Sequence, residues 1–145
     1  MDSTDLKARD VMHAGAQCVA ESSTLMDAAR MMRDLDVGCL PICGSDDKLK
    51  GVITDRDIVL HCCAEGRDPA TVLAGDLGGR LYWCDADTPV TEVLDLMEQH
   101  QIRRLPVIDV TTGNRLIGMI TEADLARNVT DRQIAEFVEK VYATA

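Results

Sequence analysis

A chain of 145 residues, 46% of them hydrophobic, can bury one core or two small cores that share a surface. Its 25 acidic residues outnumber 15 basic ones for a net charge of −10, which argues against nucleic acid or anionic membrane as partners held by bulk charge. No stretch approaches the ~18 uncharged apolar residues of a membrane span. The start, MDSTDLKARD, lacks the basic and apolar regions of a secretory signal, so the expected location is cytoplasmic.

In chain order, a short extended piece around Cys18-Val19 leads to an amphipathic helix. Leu25, Ala28, Ala29, Met32 and Leu35 mark one face at helical spacing, and Ser22-Ser23-Thr24 signals its start. Two β-rich runs, Leu40 to Cys43 and Leu49 to Thr54, flank the polar turn GSDDK, and a second helix runs from Asp55 to about Ala64. After a joining segment, the same order returns. An extended piece around Trp83-Cys84 precedes a helix marked by Val90, Val93, Leu94 and Met97, with Thr88 expected as N-cap and Pro89 as its first residue. Runs Leu105 to Asp109 and Arg115 to Thr121 flank VTTGN, a helix extends from Glu122 to about Arg127, and Ile134, Phe137, Val138 and Val141 space a helical tail.

The two copies share literal landmarks. Leu40-Pro41-Ile42 recurs as Leu105-Pro106-Val107 and GVITDRDI as GMITEADL, with two extra residues in the second copy falling at the Asp109 to Asn114 turn. This doubled pattern of extended start, amphipathic helix, Leu-Pro-hydrophobic strand and Gly-x-x-Thr-x-x-Asp turn resembles the cystathionine-β-synthase (CBS) domain, two of which form a Bateman module. The boundaries read 8–64 for the first domain, 65–73 for a linker, 74–128 for the second domain and 129–145 for the tail. The resemblance implies an α/β fold of two tandem β-α-β-β-α units related by a pseudo-twofold axis, with a C-terminal helix. It also implies clefts between the units that bind adenosyl ligands such as AMP, ATP or S-adenosylmethionine, with Thr54 and Thr121 contacting phosphate and Asp57 and Asp124 taking the ribose hydroxyls. Family members pair through their helices, so a homodimer is expected, using faces that bear Met31, Met32, Met97, Phe137 and Val141.

Elementary chemistry supports these roles, because a threonine at a strand-to-helix turn lies beside free backbone N–H groups and an aspartate can accept two bonds from a cis-diol. The same Thr-x-x-Asp spacing is also a capping box, which needs no ligand. Arg56, Arg103 and Arg104 are the cations available to a phosphate; Gly38 and Cys39, in the first-copy places of the latter two, carry no charge, so the two sites are unequal. Tyr82 and Trp83 put bulky rings where smaller residues line the family's adenine pocket, and an aromatic there can fill it.

Six cysteines, none in a Cys-x-x-Cys pair, are expected as reduced thiols rather than as a disulfide framework. An alternative reading takes His61-Cys62-Cys63, with Cys39 and Cys43, as part of a zinc-binding or redox-responsive adaptor acting through protein partners, its nucleotide clefts non-functional. Neighbouring helical positions diverge, so other segments or a second subunit would have to complete such a site; His13 and His100 stand as lone histidines. No nucleophile elbow, His-Glu-x-x-His motif or phosphate-binding glycine loop is present. The expectation is a non-enzymatic regulatory or sensor protein that requires no cofactor and acts on a partner outside this chain.

Overall fold

The computed structural model describes residues 5–77 and 81–143; parts of the expected second domain (78–80) and of the tail (144–145) lie outside the described residues. The chain divides into two compact units, one formed by Gln17–Leu81 and the other by residues up to Ala16 together with those from Tyr82 onward. Helix α1 (Ala8–Val11) and strand β1 (His13–Ala14) therefore belong with the second repeat, although the sequence pattern places them at the head of the first. The cause is visible in the pairing. β1 runs antiparallel to a second-repeat strand, His13 opposite Met119 and Ala14 opposite Gly118, while Ala8 and Val11 enter that unit's core.

The first-repeat unit contains β2 (Val19–Ala20), α2 (Leu25–Leu35), β3 (Cys39–Cys43), β4 (Leu49–Thr54) and α3 (Asp55–Ile58), continued by a π-helical turn over Val59–Cys63, then α4 (Ala74–Leu77). β3 lies between β2, its parallel neighbour, and β4, its antiparallel one. Thr24 caps α2 by accepting the Asp27 N–H, as the sequence signal requires. Leu25, Ala28 and Met32 from α2 pack with Leu40, Ile42 and Ile53 from the sheet to form the core. The joining segment docks here as well: Val72 is buried, its carbonyl accepts the Leu25 N–H, and Ala74 N–H donates to Ser23. Structure thus keeps residues 65–77 with the first repeat, whereas the sequence pattern starts the second domain at residue 74.

The second-repeat unit adds β5 (Cys84–Asp85), α5 (Val90–His100), β6 (Arg104–Asp109), β7 (Arg115–Thr121), α6 (Glu122–Asn128) and α7 (Asp131–Val141), and its sheet order is β1-β7-β6-β5. The two extra residues of this copy are absorbed by a single 3-10 turn, Val110–Thr112, closed by Gly113 and Asn114 in the left-handed region. Helix α5 begins one residue later than its sequence signal suggests. Pro89 is the N-cap, and Thr88 lies outside, because the N-terminal segment supplies what a capping side chain would: Val90 N–H donates to the Leu6 carbonyl, and Lys7 bridges to Pro89. The tail forms α7, opened by a Thr130–Gln133 capping box and packed on α5.

That packing alters one expectation. Met32, Met97, Phe137 and Val141 are buried inside their own units and Met31 is partly buried, so they do not form an open pairing face. The large apolar residues left exposed are others, among them Leu35, Val37, Val59 and Leu60 in the first-repeat unit and Val110 and Val138 in the second.

Candidate functional site

Both Thr-x-x-Asp turns form at the end of a strand in extended backbone. Thr54 Oγ1 accepts the Asp57 N–H at 3.1 Å while Asp57 Oδ2 accepts the Thr54 N–H at 2.9 Å. In the second repeat the matching distances are 3.3 and 2.9 Å, from Asp124 N–H to Thr121 Oγ1 and from Thr121 N–H to Asp124 Oδ2. The capping boxes are therefore real, and each turn hides one carboxylate oxygen in structural work.

What remains of each aspartate differs between the repeats. Asp57 is half-buried, and among the described residues its Oδ1 accepts no hydrogen bond. Asp124 is only 4% exposed and engaged at both oxygens: Oδ2 also accepts from Thr121 Oγ1 at 3.0 Å and from His13 Nδ1 at 2.8 Å, while Oδ1 accepts from Arg127 Nη2 at 2.9 Å. Burial opposes ionisation of Asp124, yet the bonds from His13 and Thr121 outweigh it and hold the carboxyl below the usual carboxylate range. His13, a lone histidine in sequence, is 111 positions from its partner, and no local signal announces the pair.

The basic residues are also unequal. Arg56 is exposed on the first turn of α3, with its backbone N–H on Asp55. Arg104 starts β6 directly opposite Thr121, which places it beside the second turn. Cys39 holds the same register position opposite Thr54 and brings no charge. Arg103 turns to the tail, where its Nη1 donates to the Tyr142 hydroxyl at 3.2 Å and that hydroxyl donates to Glu122 at 2.7 Å. Tyr82 stacks on His100 with ring centres 3.9 Å apart, and Trp83 remains 43% exposed.

The thiols do not all stay reduced. Cys18 and Cys43 are joined as a disulfide, contrary to the expectation from the missing secretory signal; the parallel pairing of Val19-Ala20 with Ile42-Cys43 brings the two side chains together across 24 intervening positions of chain, a sequence separation of 25. The His61-Cys62-Cys63 triplet does not converge. Cys62 is buried with its thiol donating to the Arg67 carbonyl, while His61 and Cys63 face outward. Burial pushes the Cys62 thiol up, and pushes Cys84 up to about 12, so neither is a thiolate near neutral pH. Among the described residues no three His, Cys, Asp or Glu side chains gather as a metal-binding group.

The pattern that defines the CBS domain matches residues 8–62 and again residues 78–131. The chain belongs to the CBS-domain family. As a CBS-domain pair it is 49% identical over 135 residues to hypoxic response protein 1 of Mycobacterium tuberculosis, covering 92% of each chain. A crystal structure of Hypoxic Response Protein I with two coordinated zinc ions superposes with a TM-score of 0.79 at 50% identity, over 86% of this chain and 100% of that one. The CBS domain pair of protein MJ0100, in complex with 5-methylthioadenosine and S-adenosyl-L-methionine, gives a TM-score of 0.71 at 26% identity, over 84% of this chain and 94% of that one. No helix among the described residues of this CBS-domain chain is long and apolar enough to cross a membrane.

Proposed function

We propose that this CBS-domain pair is a non-enzymatic, cytoplasmic regulatory module that binds an adenosyl ligand at the Thr54–Asp57 turn. The observation that carries the reading is the open Oδ1 of Asp57 beside a threonine hydroxyl and the exposed Arg56, a set suited to a ribose diol and a phosphate. The adenosyl compounds bound by the MJ0100 domain pair supply the ligand class. Binding would need no other cofactor, and the output would be read by a partner protein.

Calorimetric titration with AMP, ATP and S-adenosylmethionine tests this directly. Asp57→Ala should weaken binding by about 1.5–3 kcal/mol, roughly 10- to 150-fold, through loss of charge-assisted bonds to the diol. The fold should survive, since only the reciprocal cap of one short helix is lost. An affinity unchanged by the substitution overturns the assignment.

The exposed Leu35, Val37, Val59 and Leu60 favour self-association, and a twofold pair is the commonest closed solution for a self-complementary patch. Light scattering should then give about twice the 15.8 kDa of one chain. A mass that stays at the monomer value at micromolar concentration rejects the dimer.

A second reading, a redox-responsive adaptor, is favoured by the Cys18–Cys43 disulfide. The zinc ions belong to the relative's structure, and the free thiols here gather into no ligand set among the described residues.

A further inference from the structure

We infer that His13 closes the second-repeat turn against diol ligands, so that the chain offers one ribose site, at Asp57, rather than two. The inference rests on the reading that Asp57 takes a ribose.

An ionised carboxylate offers about four acceptor directions, and a cis-diol claims two of them. Asp124 accepts four bonds, three at Oδ2, from the Thr121 N–H, the Thr121 hydroxyl and His13, and one at Oδ1, from Arg127. Of these only the Thr121 N–H bond belongs to the helix cap; the hydroxyl bond is additional, since the first repeat keeps its cap without one. A diol that bridges both carboxylate oxygens must therefore compete with His13 at Oδ2 and with Arg127 at Oδ1. Arg127 is a weak guard, because its side chain is 68% exposed and reaches Asp124 from one turn along the same helix. His13 is a strong one.

Its strength comes from the backbone beneath it. β1 pairs with β7 at His13–Met119 and Ala14–Gly118, and the approach is so close that a Cβ on Gly118 would stand 2.7 Å from the His13 carbonyl and 2.6 Å from Met12 Sδ. Upstream, Arg9 N–H donates to Ala86 and Ala8 N–H to Thr88, and Ala8 and Val11 are buried. The imidazole is thus held over Asp124 by an anchored strand, not by a mobile side chain alone. Because the ionised carboxylate only accepts, His13 Nδ1 is the donor in the 2.8 Å bond. The first-repeat unit has no counterpart: among the described residues Asp57 pairs with no histidine.

The test is calorimetric stoichiometry on the full chain with S-adenosylmethionine, using wild type, Asp57→Ala, His13→Ala, His13→Asn and the His13→Ala/Asp124→Ala double variant. Wild type should bind one ligand per chain, and Asp57→Ala should bind it roughly 10- to 150-fold more weakly. His13→Ala should bind two, the second lost again in the double variant. His13→Asn, whose amide can donate to the same carboxylate, should remain at one. Since the His13 side chain is about half exposed and β1 is held by its backbone, its truncation leaves the pairing in place, which a far-ultraviolet spectrum and melting curve verify. One site in His13→Ala, or two in His13→Asn, overturns the inference while leaving the Asp57 reading intact. If wild type binds nothing, the Asp57 reading falls. His13→Ala then decides the latch separately, a new site that depends on Asp124 upholding it and continued absence of binding rejecting it.

Discussion

Phe137→Ala is expected to destabilise the second-repeat unit by about 3–5 kcal/mol, the range for truncating a fully buried aromatic side chain. Phe137 is the only phenylalanine in the sequence and is completely excluded from solvent. It joins the cluster that contains Val93, Met97, Leu105 and Leu125, and its helix packs on α5 and α6, which would wall the cavity left behind. Packing of α7 on α5 is otherwise supported near the rim by the Gln101 bond to the Lys140 carbonyl and the Lys140–Glu98 pair. Both are exposed or partly so and contribute little to stability. Urea unfolding followed by circular dichroism measures the loss, and a change below about 1 kcal/mol would mean that α7 is not part of the core. The loss should leave the first-repeat core, which contains none of these residues, unaffected.

Removing the Cys18–Cys43 bond should cost the first-repeat unit about 2–4 kcal/mol, chiefly by freeing the unfolded chain across the loop the bond closes. Two measurements separate this from the loss of two packed sulfurs. The wild-type urea midpoint should fall on addition of a reductant, and the midpoint of Cys18→Ala/Cys43→Ala should be low already and insensitive to reductant. Titration of unfolded, unreduced protein should find four thiols, Cys39, Cys62, Cys63 and Cys84, rising to six after reduction. Six thiols before reduction would show that the bond does not form. In the native protein Cys63, the exposed one, should react first, with Cys62 and Cys84 protected by burial.

Local rules carried most of the architecture. The Thr24, Thr54 and Thr121 caps, the two hairpins and the tail helix follow from side chains within four positions of one another, where periodicity and capping chemistry act. The two inserted residues likewise fall in the turn that their offset marks. What escaped the sequence was long-range. Thr88 has the composition of an N-cap, but Leu6 and Lys7, more than eighty positions away, take over the helix start. The repeat pattern places Ala8–Ala14 at the head of the first repeat, where the family match also begins, whereas in three dimensions β1 pairs along the edge of β7. The same displacement hides His13 from Asp124, and the disulfide was obscured by reasoning from compartment instead of from the β2–β3 register.

The docking of the N-terminal segment also sets the order of events during synthesis. Residues 17–81 can complete their own sheet as soon as they are made, for every strand they need is local. Segment 5–14 cannot, because its partner strand, Arg115–Thr121, follows about a hundred residues later. At a ribosomal pace of roughly 5–20 residues per second, Ala8 and Val11 wait on the order of 5–20 s, while the first-repeat unit has all it needs to fold. The second-repeat unit is thus finished by a segment made long before its partner strand, and a ribosome halted before residue 115 leaves that segment without a place to go.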